Sequence, residues 1–263
     1  MSIGFVLSHS QLSFSQKCRF LGLVLRTLFD KRFFQPVNVI LKFLATDKPV
    51  VVDVGANVGN FSKAVAKQSK TGCTIIAVEP SFYVYSILAF YARFWSRREI
   101  EVRCRKVALG DRIGVTTLHT PIKPSGSLRV GLANILEPSN ENAFSETVPL
   151  KKLDDLLQSE GLESVDLVKM DVEGAELLVL SGAEHLFKEL RPVWFVEVDD
   201  DRAIAFGKSA NAIFKFFFDG GYRAFVFDEE EQLFEVFSIS ATADYLFIHH
   251  ESELLKTMGA QRF

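Results

Sequence analysis

The sequence predicts an α/β fold: a mostly parallel central sheet with an antiparallel terminal edge and helices on both faces. Three observations carry this prediction. From Val50 onward, short apolar, β-branched runs alternate with helical patterns. The first run, Val50-Val51-Val52-Asp53-Val54, passes into a turn with two glycines four apart, Gly55 and Gly59. The last two runs, Tyr222 to Phe227 and Ala243 to Ile248, flank an acidic stretch with no helix between them.

Residues 1–48 precede the first strand as an N-terminal helical extension. Its apolar stretch Phe20 to Leu25 is flanked or interrupted by Lys17, Arg19, Arg26, Lys31 and Arg32, short of the ~18–20 apolar residues a bilayer span needs. Such a basic segment either touches anionic lipid weakly or covers one edge of the sheet, and the second is expected. After the glycine turn, Phe61 and Val65 mark a helix running to about Lys70. A second strand, Thr74 to Val78, ends at Glu79-Pro80, and Ser81 to Trp95 carries Tyr85, Leu88 and Ala92 at helical spacing. Strands follow at Ile100–Cys104 and Val115–His119, the first leading into Val107–Asp111. Thr120 to Glu146, with three prolines and no period, reads as a loop insertion, and loops of this length are commonly functional.

Order returns at Thr147, with a short helix through Leu153, Leu156 and Leu157. Val165 to Met170 is a strand closed by Asp171. Leu177, Leu180, Ala183 and Phe187 then place one helix over residues 173–190, stopped by Pro192. Val193 to Val198 is a strand and residues 211–219 a helix. Residues 49–250 therefore form one domain, and 251–263 a C-terminal tail.

With 48% hydrophobic and 24% charged residues, 263 residues can bury one substantial core. A net charge of −3 gives no electrostatic reason to expect a nucleic-acid partner. Cys18, Cys73 and Cys104 lack paired or metal-type spacing, which fits free thiols and a cytoplasmic setting.

In open α/β sheets, ligands bind beyond the carboxyl ends of the strands, where strand order reverses. Asp53, Glu79, Ala108, Asp171 and Glu197 all fall at or near such ends. The glycine turn lets backbone approach a ligand, and the helix start behind it favours negative charge. Glu79 lies about 20 residues beyond the turn, where doubly wound folds place the acid that accepts ribose hydroxyls. The fingerprint G-x-G-x-x-G is absent, which disfavours a nicotinamide-dependent oxidoreductase. A non-catalytic module binding a cofactor or a partner is the other alternative.

The string Val168-Lys169-Met170-Asp171-Val172-Glu173-Gly174-Ala175-Glu176 adds to V-V-D-V-G-A-N-V-G, A-V-E-P and V-A-L-G-D. Together, from about Val50 to Asp199, these motifs resemble the FkbM family of S-adenosylmethionine-dependent class I methyltransferases. The resemblance implies a Rossmann-like class I methyltransferase fold, S-adenosyl-L-methionine as cofactor, and O-methylation of a carbohydrate, glycolipid or small-molecule natural product. It implies that Gly55, Ala56, Asn57 and Gly59 form the cofactor turn and that Asp53 helps hold the amino acid end. Glu79 would bind the ribose diol, Ala108 would lie against adenine, and Asp171 would face the methionine end or the acceptor. Asp199 stands where the family commonly has histidine, and Ser125-Gly126-Ser127-Leu128 matches its serine-rich loop only loosely.

A hydroxyl is a poor nucleophile, so partial proton removal helps methyl transfer. Asp171, Glu173 and Glu197 are the available bases. Asp171 is equally placed to cap the following helix, with Glu173 and Glu176 complementing its positive end. Lys169 alternates with buried neighbours and either pairs with one of these acids or reaches solvent. No metal site is expected, and Asp199-Asp200-Asp201 reads as a solvated loop. Acceptor choice is assigned to the insertion at residues 120–146.

Overall fold

The computed structural model describes residues 30–44, 46–121, 143–228, 232–239 and 242–255. Helix α1 (Phe34–Phe43) leads into β1 (Val50–Val54), α2 (Asn60–Gln68), β2 (Cys73–Val78), α3 (Phe82–Trp95) and β3 (Ile100–Arg105). Three strands follow, β4 (Ala108–Leu109), β5 (Gly114–Pro121) and β6 (Ala143–Lys151), then α4 (Leu153–Ser159), β7 (Leu167–Met170) and α5 (Glu176–Ser181). A π-helical turn (Leu186–Leu190) precedes β8 (Val193–Val198), α6 (Asp200–Ala205), α7 (Ala210–Asp219), β9 (Tyr222–Phe227), β10 (Leu233–Val236) and β11 (Ala243–His249).

Eight strands form the main sheet in the order β10-β9-β11-β8-β7-β1-β2-β3. The pairs from β3 through β8 are parallel, whereas β11, β9 and β10 are antiparallel. This is the predicted class I methyltransferase fold, with the order reversing between β1 and β7. Strand alternation divides the core in two. Val52, Ile76, Val168 and Trp194 pack on one face with Leu153, Val179, Phe187 and Phe217. Val51, Ile75, Leu167 and Phe195 pack on the other with Ile40, Phe61, Val65 and Leu88.

The structure corrects several sequence expectations. The single helix over residues 173–190 is broken. The carboxylate of Asp154 accepts from the N–H groups of His185 (2.8 Å) and Leu186 (3.0 Å), drawing them out of a continuous ladder. At the break, a side chain on Gly182 would collide with the carbonyl of Gly110 and come within 3.3 Å of the Lys152 Cα. Residues 143–146, expected in the insertion, belong to β6, which pairs antiparallel with β5 and parallel with β4 in a separate three-stranded sheet. The rest of the insertion, 122–142, lies outside the described residues. A third terminal strand, β10, extends the edge beyond β9.

Asp199-Asp200-Asp201 is not a solvated loop. The Asp199 side chain accepts from Arg202 N (3.1 Å) and caps α6, while Asp200 accepts from Ala210 N (2.9 Å) at the start of α7. Of the N-terminal extension, α1 packs on α2 with Val37 and Ile40 buried, so the described part covers a face rather than an edge. The apolar stretch Phe20 to Leu25 lies outside the described residues. Among the described residues, no helix is long and apolar enough to cross a membrane.

Candidate active site

The glycine turn joins β1 to α2 directly beside the end of β2. Gly55 N and Ala56 N both donate to Val78 O (3.1 and 2.9 Å), and Gly55 has φ +73°. A Cβ there would overlap the carbonyl oxygen of Asp171, so only glycine lets β1 and β7 close at this level. Asn57, at φ +51°, donates its N–H to Glu79 Oε2 (2.9 Å), and Ser81 N donates to Glu79 Oε1 (2.9 Å). Glu79 is buried, and burial pushes its pKa up to about 7 against those two donors, with the charge of Glu146 adding to the rise. Each Glu79 oxygen keeps acceptor capacity beyond its backbone partner.

Strand register explains which charges meet. Asp53 on β1 lies opposite Lys169 on β7, and Lys169 opposite Phe195 on β8. Two residues further along the same face come Asp171 and Glu197, and Glu197 lies opposite Asp244 on β11. Lys169 is buried, with Nζ 3.0 Å from Asp171 Oδ2 and 5.9 Å from the centre of the Phe33 ring. Burial opposes its charge, but Asp171, Asp53 and Asp244 outweigh that and raise its pKa. The alternative of a lysine reaching solvent is therefore not realised.

Asp171 does not cap a helix either. Helix α5 starts at Glu176, after a bend at Glu173 (φ +58°) and Gly174 (φ +101°). Burial works against the Asp171 charge, yet Lys169 and a hydrogen bond from Glu197 hold its pKa below the usual value. Glu197 is raised to about 7 by burial and by that shared bond. The two carboxyl groups titrate as a pair, with Asp171 the one that ionises at lower pH. Glu173 is raised to about 8, mainly by burial.

Asp171, Glu173 and Glu197 each bring a carboxylate oxygen within 4.8 Å of the others, a spacing that could gather a cation. Arg202 Nη1 stands there already, 2.9 Å from Glu173 Oε2 and 2.7 Å from Glu197 Oε2.

Asp53 is fully buried, and its Oδ2 accepts from Ser62 N (3.1 Å) and Ser62 Oγ (2.6 Å), which ties β1 to the first turn of α2. Its Oδ1 has no hydrogen-bond partner among the described residues, nor does Asn60 Oδ1. Gly59, at φ +86°, ends the turn against Leu88 and Trp95. Ala108 sits instead in β4, buried with Leu118, Val148 and Leu150 in the small sheet's own core. The structure thus joins Asp53, Gly55, Ala56, Asn57, Gly59, Glu79, Asp171, Glu173 and Glu197 around one crevice, and places Ala108 in the strand that follows β3.

Other residues at the crevice carry no local sequence signal. Asp30 accepts from Asn60 Nδ2 (2.9 Å) and, through its carbonyl, from Lys63 Nζ (2.6 Å). Phe33 meets Phe61 edge-on at 5.7 Å, and the Arg32 charge interacts with Asp171 and Glu197. The residues just before α1 therefore form one wall. Glu146 of β6 accepts from Phe82 N (3.0 and 3.2 Å) at the start of α3, near Glu79. Long-range partners such as these are chosen by tertiary packing. Only a run of crevice-side acids awaiting cations could have hinted at Arg202.

The Methyltransferase FkbM domain matches residues 53–224. "Methyltransferase sdnD" of Sordaria araneosa is 29% identical over 54% of this chain and 63% of its own length. "2-O-methyltransferase NoeI" of Sinorhizobium fredii is 26% identical over 59% of this chain and 65% of its own. "31-O-demethyl-FK506 methyltransferase FkbM" of Streptomyces tacrolimicus is 28% identical over 51% of this chain and 59% of its own. The chain thus spans less than two thirds of the length of these curated relatives. With its strand order and the motifs of the crevice inside the matched segment, the chain belongs to the FkbM methyltransferase-domain family.

Proposed function

We propose that the chain is an S-adenosylmethionine-dependent O-methyltransferase acting on a hydroxyl of a carbohydrate, glycolipid or small-molecule natural product. The observation that carries this reading is Asp171, paired with buried Lys169 at 3.0 Å and set beside Glu197, at the point where strand order reverses. The named relatives from Sinorhizobium and Streptomyces, a 2-O-methyltransferase and a methyltransferase of a 31-O-demethyl compound, support the choice of oxygen as acceptor.

The residues present fit the cofactor. Its ribose diol needs a buried acceptor, which Glu79 offers, and its ammonium needs unpaired acceptors, which Asp53 Oδ1 and Asn60 Oδ1 offer. When bound, S-adenosylmethionine supplies an electrophilic methyl carbon whose bond to sulfur breaks with the electron pair leaving on sulfur. Asp171 accepts the proton of the acceptor hydroxyl as its oxygen bonds to carbon. Lys169 keeps Asp171 ionised and in place, and Arg202 holds the side chains of Glu173 and Glu197 in position. The acids outnumber the cations around the crevice, which suits a cationic cofactor and a neutral acceptor and repels polyanions such as nucleic acid.

Calorimetry should show S-adenosylhomocysteine binding and raising the melting temperature, by about 2.7 kcal/mol of stability at a hundred times Kd. Mass spectrometry of glycans, glycolipids and natural products should show species gaining a methyl group only when the protein is present. Binding of NAD in place of S-adenosylhomocysteine would overturn the reading. Because Arg202 fills the gap among the three acids, chelator-treated protein is expected to keep its activity. A loss restored by magnesium or manganese would make that cluster a metal site.

A further inference from the structure

We propose that the end of the main sheet opposite the crevice docks on an anionic lipid bilayer. Helix α3 leaves the crevice end at Phe82 and runs back to Trp95. Its inner side buries Leu88, Tyr91, Ala92 and Trp95. Its outer side carries Phe90 and Phe94, 40% and 71% exposed, with ring centres 5.2 Å apart and edge to face. Single exposed aromatics are ordinary, but two in mutual contact are a patch.

The surroundings of this patch are basic. Arg93 lies between the two rings in sequence, and Arg97 and Arg98 follow in the turn to β3. The chain segments before β1, β2 and β3 converge here. Thr71 Oγ1 donates to Asp47 O, Cys73 N donates to Glu99 O (2.9 Å), and Lys48 Nζ lies 2.8 Å from Glu99 Oε2. This brings Lys48, Lys67 and Lys70 to the same end as the three arginines, all exposed, against Asp47, Glu99 and Glu101.

Charge complementarity selects the occupant. Residues 1–29 and 256–263, which lie outside the described residues, contain basic residues and no acids, so neither complements the patch. Anionic headgroups match the arginines and lysines, and the boundary below the headgroups accepts the two phenyl rings while the guanidinium groups stay with phosphate.

The test is sedimentation of the full chain with vesicles of phosphatidylcholine alone or mixed with phosphatidylserine, at low and high salt. Binding is expected only to the mixed vesicles and should weaken with salt. Phe90→Ser with Phe94→Ser should weaken it about tenfold or more. Arg93→Gln, Arg97→Gln and Arg98→Gln should each cost about fivefold. S-adenosylhomocysteine affinity and melting temperature should be unchanged in all of them, which separates loss of docking from loss of fold. Equal binding to neutral vesicles, no binding by the parent chain, or full binding by the combined variants would overturn the proposal. So would displacement from vesicles by single-stranded RNA, which would make the patch a nucleic-acid surface.

Discussion

Asp171→Asn is expected to lower kcat about 10²- to 10⁴-fold, the range associated with losing a positioned general base. The amide keeps the shape of the carboxyl group and an oxygen for Lys169, whose buried charge is still balanced by Asp53 and Asp244. Melting temperature and S-adenosylhomocysteine affinity should therefore change far less than turnover. Glu197→Ala tests the same pair from the other side. It removes the hydrogen bond that helps hold the Asp171 pKa down, so the acid limb of the kcat–pH profile should move to higher pH. A folded Asp171→Asn protein with turnover close to the parent's would remove Asp171 from the chemistry.

Glu79→Gln should weaken S-adenosylhomocysteine about 10- to 100-fold, because the ribose hydroxyls lose charge-assisted acceptors. The Glu79 pKa, raised to about 7, gives this site a pH signature. An acid raised above its unfolded value stabilises the fold most below that value, here 4.5, and this contribution is lost as pH rises through about 7. Cofactor binding runs the other way. It favours the carboxylate, so affinity should fall as pH drops through about 7. Glu146→Gln removes a neighbouring charge that raises Glu79, and should move that midpoint to lower pH. Calorimetric titrations across pH check both shifts, and a flat affinity profile would place the ribose elsewhere.

The sequence announces the strands of this fold where side-chain period is strong. Val193 to Val198 is read to the residue, and the acids at the ends of β1, β2, β7 and β8 follow from those strands. It does not announce the break at Gly182, because that depends on Gly110, Lys152 and Asp154 arriving from other elements. The strand β10 is short and partly exposed, so its pattern is weak. The cations of the site escape notice for a related reason. Arg202 and Arg32 are ordinary surface residues until packing sets them against Asp171 and Glu197, and Phe33 gains its role only by standing over Lys169.

Val50 N reaches across to Asp166 Oδ2 at 2.8 Å, although 116 positions separate them in the chain. Strands β1, β2 and β3 pair through local crossovers and can assemble from the N-terminal half alone. The remaining edge of β1 waits until β7 has been synthesised and has found it, and the loop that closes then spans most of the domain. Half of the crevice is therefore expected to form late in folding. During that interval a row of unpaired backbone groups flanked by Val51, Val52 and Val54 is open to strands of other chains, and growth conditions that slow collisions between nascent chains will favour recovery of native protein.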